Sequence, residues 1–138
     1  MRKDKIAIIV GAIVALVLAA AAFAARQTSS LSLVVLSSGA APAAAAAPEP
    51  TQGGQITFNV STTQTDHPSV NVRCYQDGAW VYDGWQSFWP GAASHDPVFT
   101  LSSNYWTSGG ADCTARLVYY DKRGLLHTAA SMDFSVAG

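Results

Sequence analysis

Ser94, His95 and Asp96 stand side by side and supply the three residue types used in nucleophilic hydrolysis. Consecutive residues cannot reach triad geometry with one another, because the imidazole must bridge hydroxyl and carboxylate in space. His67 follows Asp66, and His127 precedes Ser131 by four positions, but these pairs are close only in sequence. No Gly-x-Ser-x-Gly elbow, phosphate loop or His-Glu-x-x-His motif occurs. Residues 55–138 hold seven aspartates and no glutamate, and the aspartates fall mostly at turn positions. A glycosidase would need two of them brought about 5 Å apart. Asp66-His67 and His95-Asp96 each precede a proline, so two loops could in principle converge on a metal. The spacing does not require it: no catalytic residue, metal or cofactor is expected.

Binding chemistry is better represented. Residues 55–138 carry 13 Phe, Trp and Tyr residues. A core of this size absorbs Phe58, Phe99, Phe134, Tyr119 and one of Trp80 or Trp85. Tyr75, Trp89, Tyr105, Trp106 and Tyr120 remain as candidates for exposure. Along 80–85, strict alternation puts Trp80 and Tyr82 on the face opposite Val81 and Trp85. The expected binding surface is therefore Trp80, Tyr82, Trp89, Tyr105 and Trp106. Exposed aromatics at this density mark contact with a protein partner, or with a glycan whose sugar faces stack on flat rings, unless the loops fold the tryptophans back over the small core. Seven acids against four Lys and Arg give this region a charge of −3 with His neutral, and no basic stripe is present. Nucleic acid is not an expected partner.

The elements that position these residues are strands. From Gln55 onward apolar and polar residues alternate: Ile56, Phe58, Val60; Val70, Val72, Cys74; Cys113, Ala115, Leu117, Tyr119; Met132, Phe134, Val136. Shorter candidates lie at 80–85 and 98–101. Asp77-Gly78 is a two-residue hairpin signal, and Lys122-Arg123-Gly124 a tight turn. Strands repeating every 8–12 residues predict an all-β antiparallel sandwich or small barrel.

Cys74 and Cys113 share the parity of the core residues on their own strands. In an exported chain their default state is a disulfide. Closing a loop of about 40 residues contributes roughly 4 kcal/mol on the chain-entropy estimate.

Export is expected from the N-terminus. Ile6 to Ala25 is an apolar run of 20 residues, long enough at about 1.5 Å per residue to cross a bilayer core. Arg2, Lys3 and Lys5 precede it and favour a cytoplasmic start. Two outcomes stand open. The segment stays as a transmembrane anchor, or it is cleaved as a signal peptide, for which Ala22-Phe23-Ala24 offers a small-x-small site. The domain is then extracytoplasmic at the cell membrane, or secreted. Gly39 to Gly54 is Ala-, Pro- and Gly-rich and reads as a disordered tether holding the domain off the membrane. Leu31 to Leu36 is an apolar patch that fits either an extra strand or part of the stalk. The expected organisation is 1–26 anchor or signal helix, 27–54 linker, and 55–138 β-sandwich.

Cys74-Tyr75-Gln76-Asp77-Gly78-Ala79-Trp80-Val81-Tyr82 and Trp106-Thr107-Ser108-Gly109-Gly110-Ala111-Asp112-Cys113-Thr114-Ala115-Arg116-Leu117 resemble small immunoglobulin-like modules of exported actinobacterial and actinophage proteins. The resemblance spans about residues 56–136. It implies an Ig-like sandwich of six or seven strands, with Trp85 packed beside an inter-sheet disulfide. Two features depart from the antibody pattern. Ala111 occupies the tyrosine-corner position, and the Asp77-Gly78 hairpin favours one sheet for both its strands. The resemblance implies a fold only. The function expected for an exported module of this composition is extracellular recognition or adhesion without catalysis, with a carbohydrate- or envelope-binding module as the alternative and a small secreted hydrolase or inhibitor third.

Overall fold

A computed structural model describes residues 28–37, 48–92 and 96–138. The expected transmembrane segment Ile6–Ala25 lies outside them, as do residues 38–47 of the linker and Ser94 and His95. The described residues form seven strands: β1 (Ser29–Ser37), β2 (Gln55–Thr62), β3 (Ser69–Gln76), β4 (Ala79–Ser87), β5 (Phe99–Thr100), β6 (Ala111–Tyr120) and β7 (Leu126–Val136). They make two antiparallel sheets, ordered β1-β2-β5 and β4-β3-β6-β7. The all-β sandwich expected from alternation is the fold observed.

Alternation explains the inner faces. Ile56 and Phe58 from one sheet meet Val70, Val72, Cys74, Ala115 and Leu117 from the other. Phe58 spans the gap, edge-on to Phe99 at 5.7 Å and to Phe134 at 6.3 Å between centroids. The β3–β4 hairpin turns on Asp77 and Gly78 at φ 49° and 80°, the left-handed pair that matches strand twist. The outward side of the four-stranded sheet mixes polar residues with exposed aromatics. Asn71 is fully buried there yet satisfied: its amide donates to Asp83 and to the Gly84 carbonyl, and its oxygen accepts from Arg116 at 2.8 Å.

Four expectations are corrected. First, the 27–54 linker is interrupted: Leu31–Leu36 takes the strand alternative, lying in β1 and paired with β2 from Ser29↔Thr62 to Ser37↔Gln55. Leu31, Leu33 and Val35 pack on the core, so residues 29–37 belong to the sandwich and not to a linker. Residues 50–54 are also tied in: Pro50 O accepts from Ala137 N, and Gly53 N donates to Leu101 O. Second, the Cys74–Cys113 disulfide does not bridge the sheets. It joins directly opposed residues on β3 and β6 within one sheet, Cα atoms 4.0 Å apart. β3 pairs with β6 from Ser69↔Val118 to Tyr75↔Asp112, so Cys74 and Cys113 share a sheet.

Third, Trp85 is not the core tryptophan. It is 43% exposed, opposite Asn71 on the outward face. The adjacent inward position is Gly84, where a Cβ would lie 2.9 Å from the Phe99 ring. The buried tryptophan is Trp106, 6% exposed. Fourth, Trp80 and Tyr82 do not share a face. Tyr75 pairs with Trp80 while Cys74 pairs with Tyr82, leaving Val81 as the extra residue of a bulge. One inserted residue reverses parity: Trp80 stays outward while Tyr82 turns toward the disulfide side.

Candidate binding surface

The end of the sandwich that carries the Asp77-Gly78 turn gathers most of the exposed aromatics. Trp80 and Tyr75 face outward as a cross-strand pair on β4 and β3. The β5–β6 connection, residues 101–110, then folds over this end. Ser103 fixes its first turn, donating its hydroxyl to the Val81 carbonyl and accepting from Tyr105 N at 3.1 Å. Gln76 fixes its second half. The side-chain oxygen accepts from Thr107 N at 3.1 Å and Thr107 Oγ1 at 3.0 Å. Its amide donates to the carbonyls of Thr107, Gly109 and Gly110 at 3.1–3.3 Å. Gly109 adopts φ 115°, and its carbonyl also accepts from Trp106 Nε1 at 3.1 Å.

The loop therefore drops Trp106 into the core and presents Tyr105 beside Trp80. Trp106 lies against Tyr82 at 6.4 Å. Burial, and then the neighbouring Asp83, push the Tyr82 hydroxyl above its ordinary pKa, so it remains a neutral phenol. Tyr105, 66% exposed, meets Trp80, 47% exposed, at 5.5 Å and a 39° tilt. Tyr75 extends the patch toward a shallow concavity of about 230 Å³ floored by Gln76, Ala111 and Val136 and edged by Asp77, Asp112 and Ser135. Rings, carboxylates and a hydroxyl side by side can stack on a ligand and accept its hydrogen bonds.

Of the five residues expected to form this surface, Trp80 and Tyr105 do so, and Tyr82 and Trp106 support them from beneath. Trp89 is elsewhere. It follows β4, whose last residue opposes Ser69, and stands edge-on to His67 at 4.6 Å at the opposite end. Tyr75 joins the patch through its register with Trp80. Gln76 carries no sequence signal for its role, since its partners lie more than 30 residues away.

The other chemical groups serve the frame. His127 Nε2 donates to Asp121 Oδ2 at 2.8 Å, and Asp121 also accepts from the backbone N–H groups of Arg123 and Leu125. These bonds, His127's first, hold the Asp121 carboxyl down to about 2. Among the described residues no three His, Cys, Asp or Glu side chains converge as metal ligands.

No family model, curated protein or solved structure matches this chain.

Proposed function

We propose that this chain is a non-enzymatic, Ig-like recognition module displayed outside the cytoplasm. It would be held at the cell membrane by residues 6–25, or secreted if that segment is cleaved. The observation that carries this reading is the exposed Tyr75–Trp80–Tyr105 patch, preset by the five hydrogen bonds of Gln76. Rigid aromatic anchors of this kind lose little conformational entropy on binding and dominate protein interfaces. A disulfide buried in the core supports an oxidising compartment.

Strand order supports the Ig-like description. Lettered A to G in chain order, the sheets are A-B-E and D-C-F-G. The constant-type Ig arrangement is ABED with CFG, and differs only in the sheet to which the fourth strand belongs. The likeness to exported actinobacterial and actinophage modules is proposed from the residues around Cys74 and Cys113 alone.

The preferred partner is a protein. Glycan binding is the second reading, favoured by Asp77, Asp112 and Ser135 at the rim of the concavity beside Tyr75. A photoreactive residue at position 105 is expected to crosslink a cell-surface protein, and Trp80→Ala to abolish the adduct. Retention on a glycan array, lost on Trp80→Ala, would move the assignment to the second reading. Neither crosslink nor retention would remove the patch as a recognition surface.

A further inference from the structure

The end of the sandwich opposite the aromatic patch is where the chain arrives from its apolar N-terminal run. Only Arg26, Gln27 and Thr28 separate Ala25 from Ser29, the first residue of β1. Four Cα–Cα steps reach at most about 14 Å, even fully extended. Ser29 cannot be far from wherever residue 25 is held. The Ala- and Pro-rich stretch does not lengthen this connection, because it follows β1 and leads into β2.

Ser29 is fixed to its end of the domain. Its hydroxyl is 2.8 Å from Thr62 Oγ1 and accepts from Gln64 Nε2 at 3.2 Å. Gln64 Oε1 accepts from the Tyr119 hydroxyl at 2.9 Å, and Tyr119 stacks on its cross-strand partner His127. This chain of contacts links the start of β1 to the β6–β7 hairpin. The hairpin tip carries Tyr120, Leu125 and Leu126, all 44–65% exposed, with Lys122 and Arg123 exposed between them. Its acid, Asp121, is engaged by His127 and lies 3.6 Å from Arg123. Trp89, against His67, adds another ring at this end.

We propose that the β6–β7 hairpin tip rests in the headgroup region of the bilayer, with Tyr120, Leu125 and Leu126 inserted at the interface. Tyrosine and tryptophan favour that depth, and Lys and Arg reach from it to phosphates. With Asp66 on the neighbouring β2–β3 loop, net charge contributes little. The short tether keeps the tip at high effective concentration near lipid, and the apolar side chains hold it there. β1 then runs outward. Eight rises of about 3.3 Å along it carry the aromatic patch about 26 Å from the contact. This inference rests on the anchored form of the proposed function.

The test is the full-length chain in phosphatidylcholine nanodiscs doped with a gadolinium-headgroup lipid, read by amide NMR. Expected is loss of signal at residues 120–126 and 63–67, with Asp77–Trp80 and Tyr105 retained. The Tyr120→Ser, Leu125→Ser, Leu126→Ser variant, its shifts elsewhere unchanged, is expected to recover signal at residues 120–126 relative to the unmodified chain, the tether alone leaving a weaker contrast. Equal attenuation of both ends, or loss centred on Asp77–Trp80, would overturn the orientation while leaving the anchor intact. An unchanged pattern in the triple variant would overturn insertion of these side chains. A chain that does not co-purify with the discs at all would remove the anchored reading, and this inference with it.

Discussion

Gln76 and Asp121 each fix one end of the molecule with a single side chain. Gln76 satisfies a backbone N–H, a hydroxyl and three carbonyls of the loop that presents Tyr105. Gln76→Ala leaves those groups to water. It is expected to cost about 1–2 kcal/mol in urea denaturation and to speed amide exchange at Thr107. Asp121 does the same for the β6–β7 turn by accepting from His127, Leu125 and Arg123. Its folded pKa of about 2 lies below the unfolded value near 4. Its contribution is therefore complete above about pH 4 and is lost as pH falls toward 2. The melting temperature should drop across that window, and Asp121→Asn should drop less. Parallel pH curves for the two proteins would contradict this.

At the scale of elements, β4 shows how a local irregularity decides a surface. The bulge at Val81 separates Trp80 from Tyr82, and Gly84 lets Phe99 and the Tyr82 hydroxyl close over the strand. A Cβ at Gly84 would stand 2.6 Å from that hydroxyl and 2.9 Å from the ring. Gly84→Ala should therefore destabilise the domain by about 1–3 kcal/mol in chemical denaturation, as overpacking does. A neutral substitution would mean the inner face is looser than its contacts indicate. β1 is the other decisive element. Leu31, Leu33 and Val35 are half-buried against the core, worth about 1 kcal/mol each by area. Removing β1 also bares the edge of β2. A chain starting at residue 48 should melt lower than one starting at 27 and should aggregate. Equal stability would return residues 29–37 to the role of stalk.

At the scale of the whole molecule, the disulfide and the two ends define the design. Cys74 and Cys113 are buried and opposed within one sheet. Their covalent closure limits the unfolded chain, and a domain this small has little stability to spare. Replacing both by Ala should lower unfolding free energy by about 4 kcal/mol. Dithiothreitol should reduce the pair only when denaturant opens the core. Rapid reduction of the folded protein, followed by thiol mass spectrometry, would show the sulfurs to be accessible. The same fold separates two surfaces. The aromatic patch lies at the end of β3 and start of β4, and the N-terminal entry point lies at the start of β1.

The sequence by itself determined the class of fold and most strand positions, because two-residue alternation and the Asp77-Gly78 turn act locally. It also limited any intramolecular disulfide to one pairing, since only two cysteines are present, while the opposed positions on β3 and β6 brought them together. Tertiary structure alone decided which tryptophan is buried. Alternation orders side chains along an unbroken strand, but the bulge at Val81 is defined only against β3. It alone decided that Leu31–Leu36 is a strand, because six apolar residues acquire a face only when β2 lies beside them. The aromatic patch was legible as a composition and not as a place: Trp80 and Tyr105 meet through a loop pinned by a glutamine, a contact that nothing near either residue in the chain encodes.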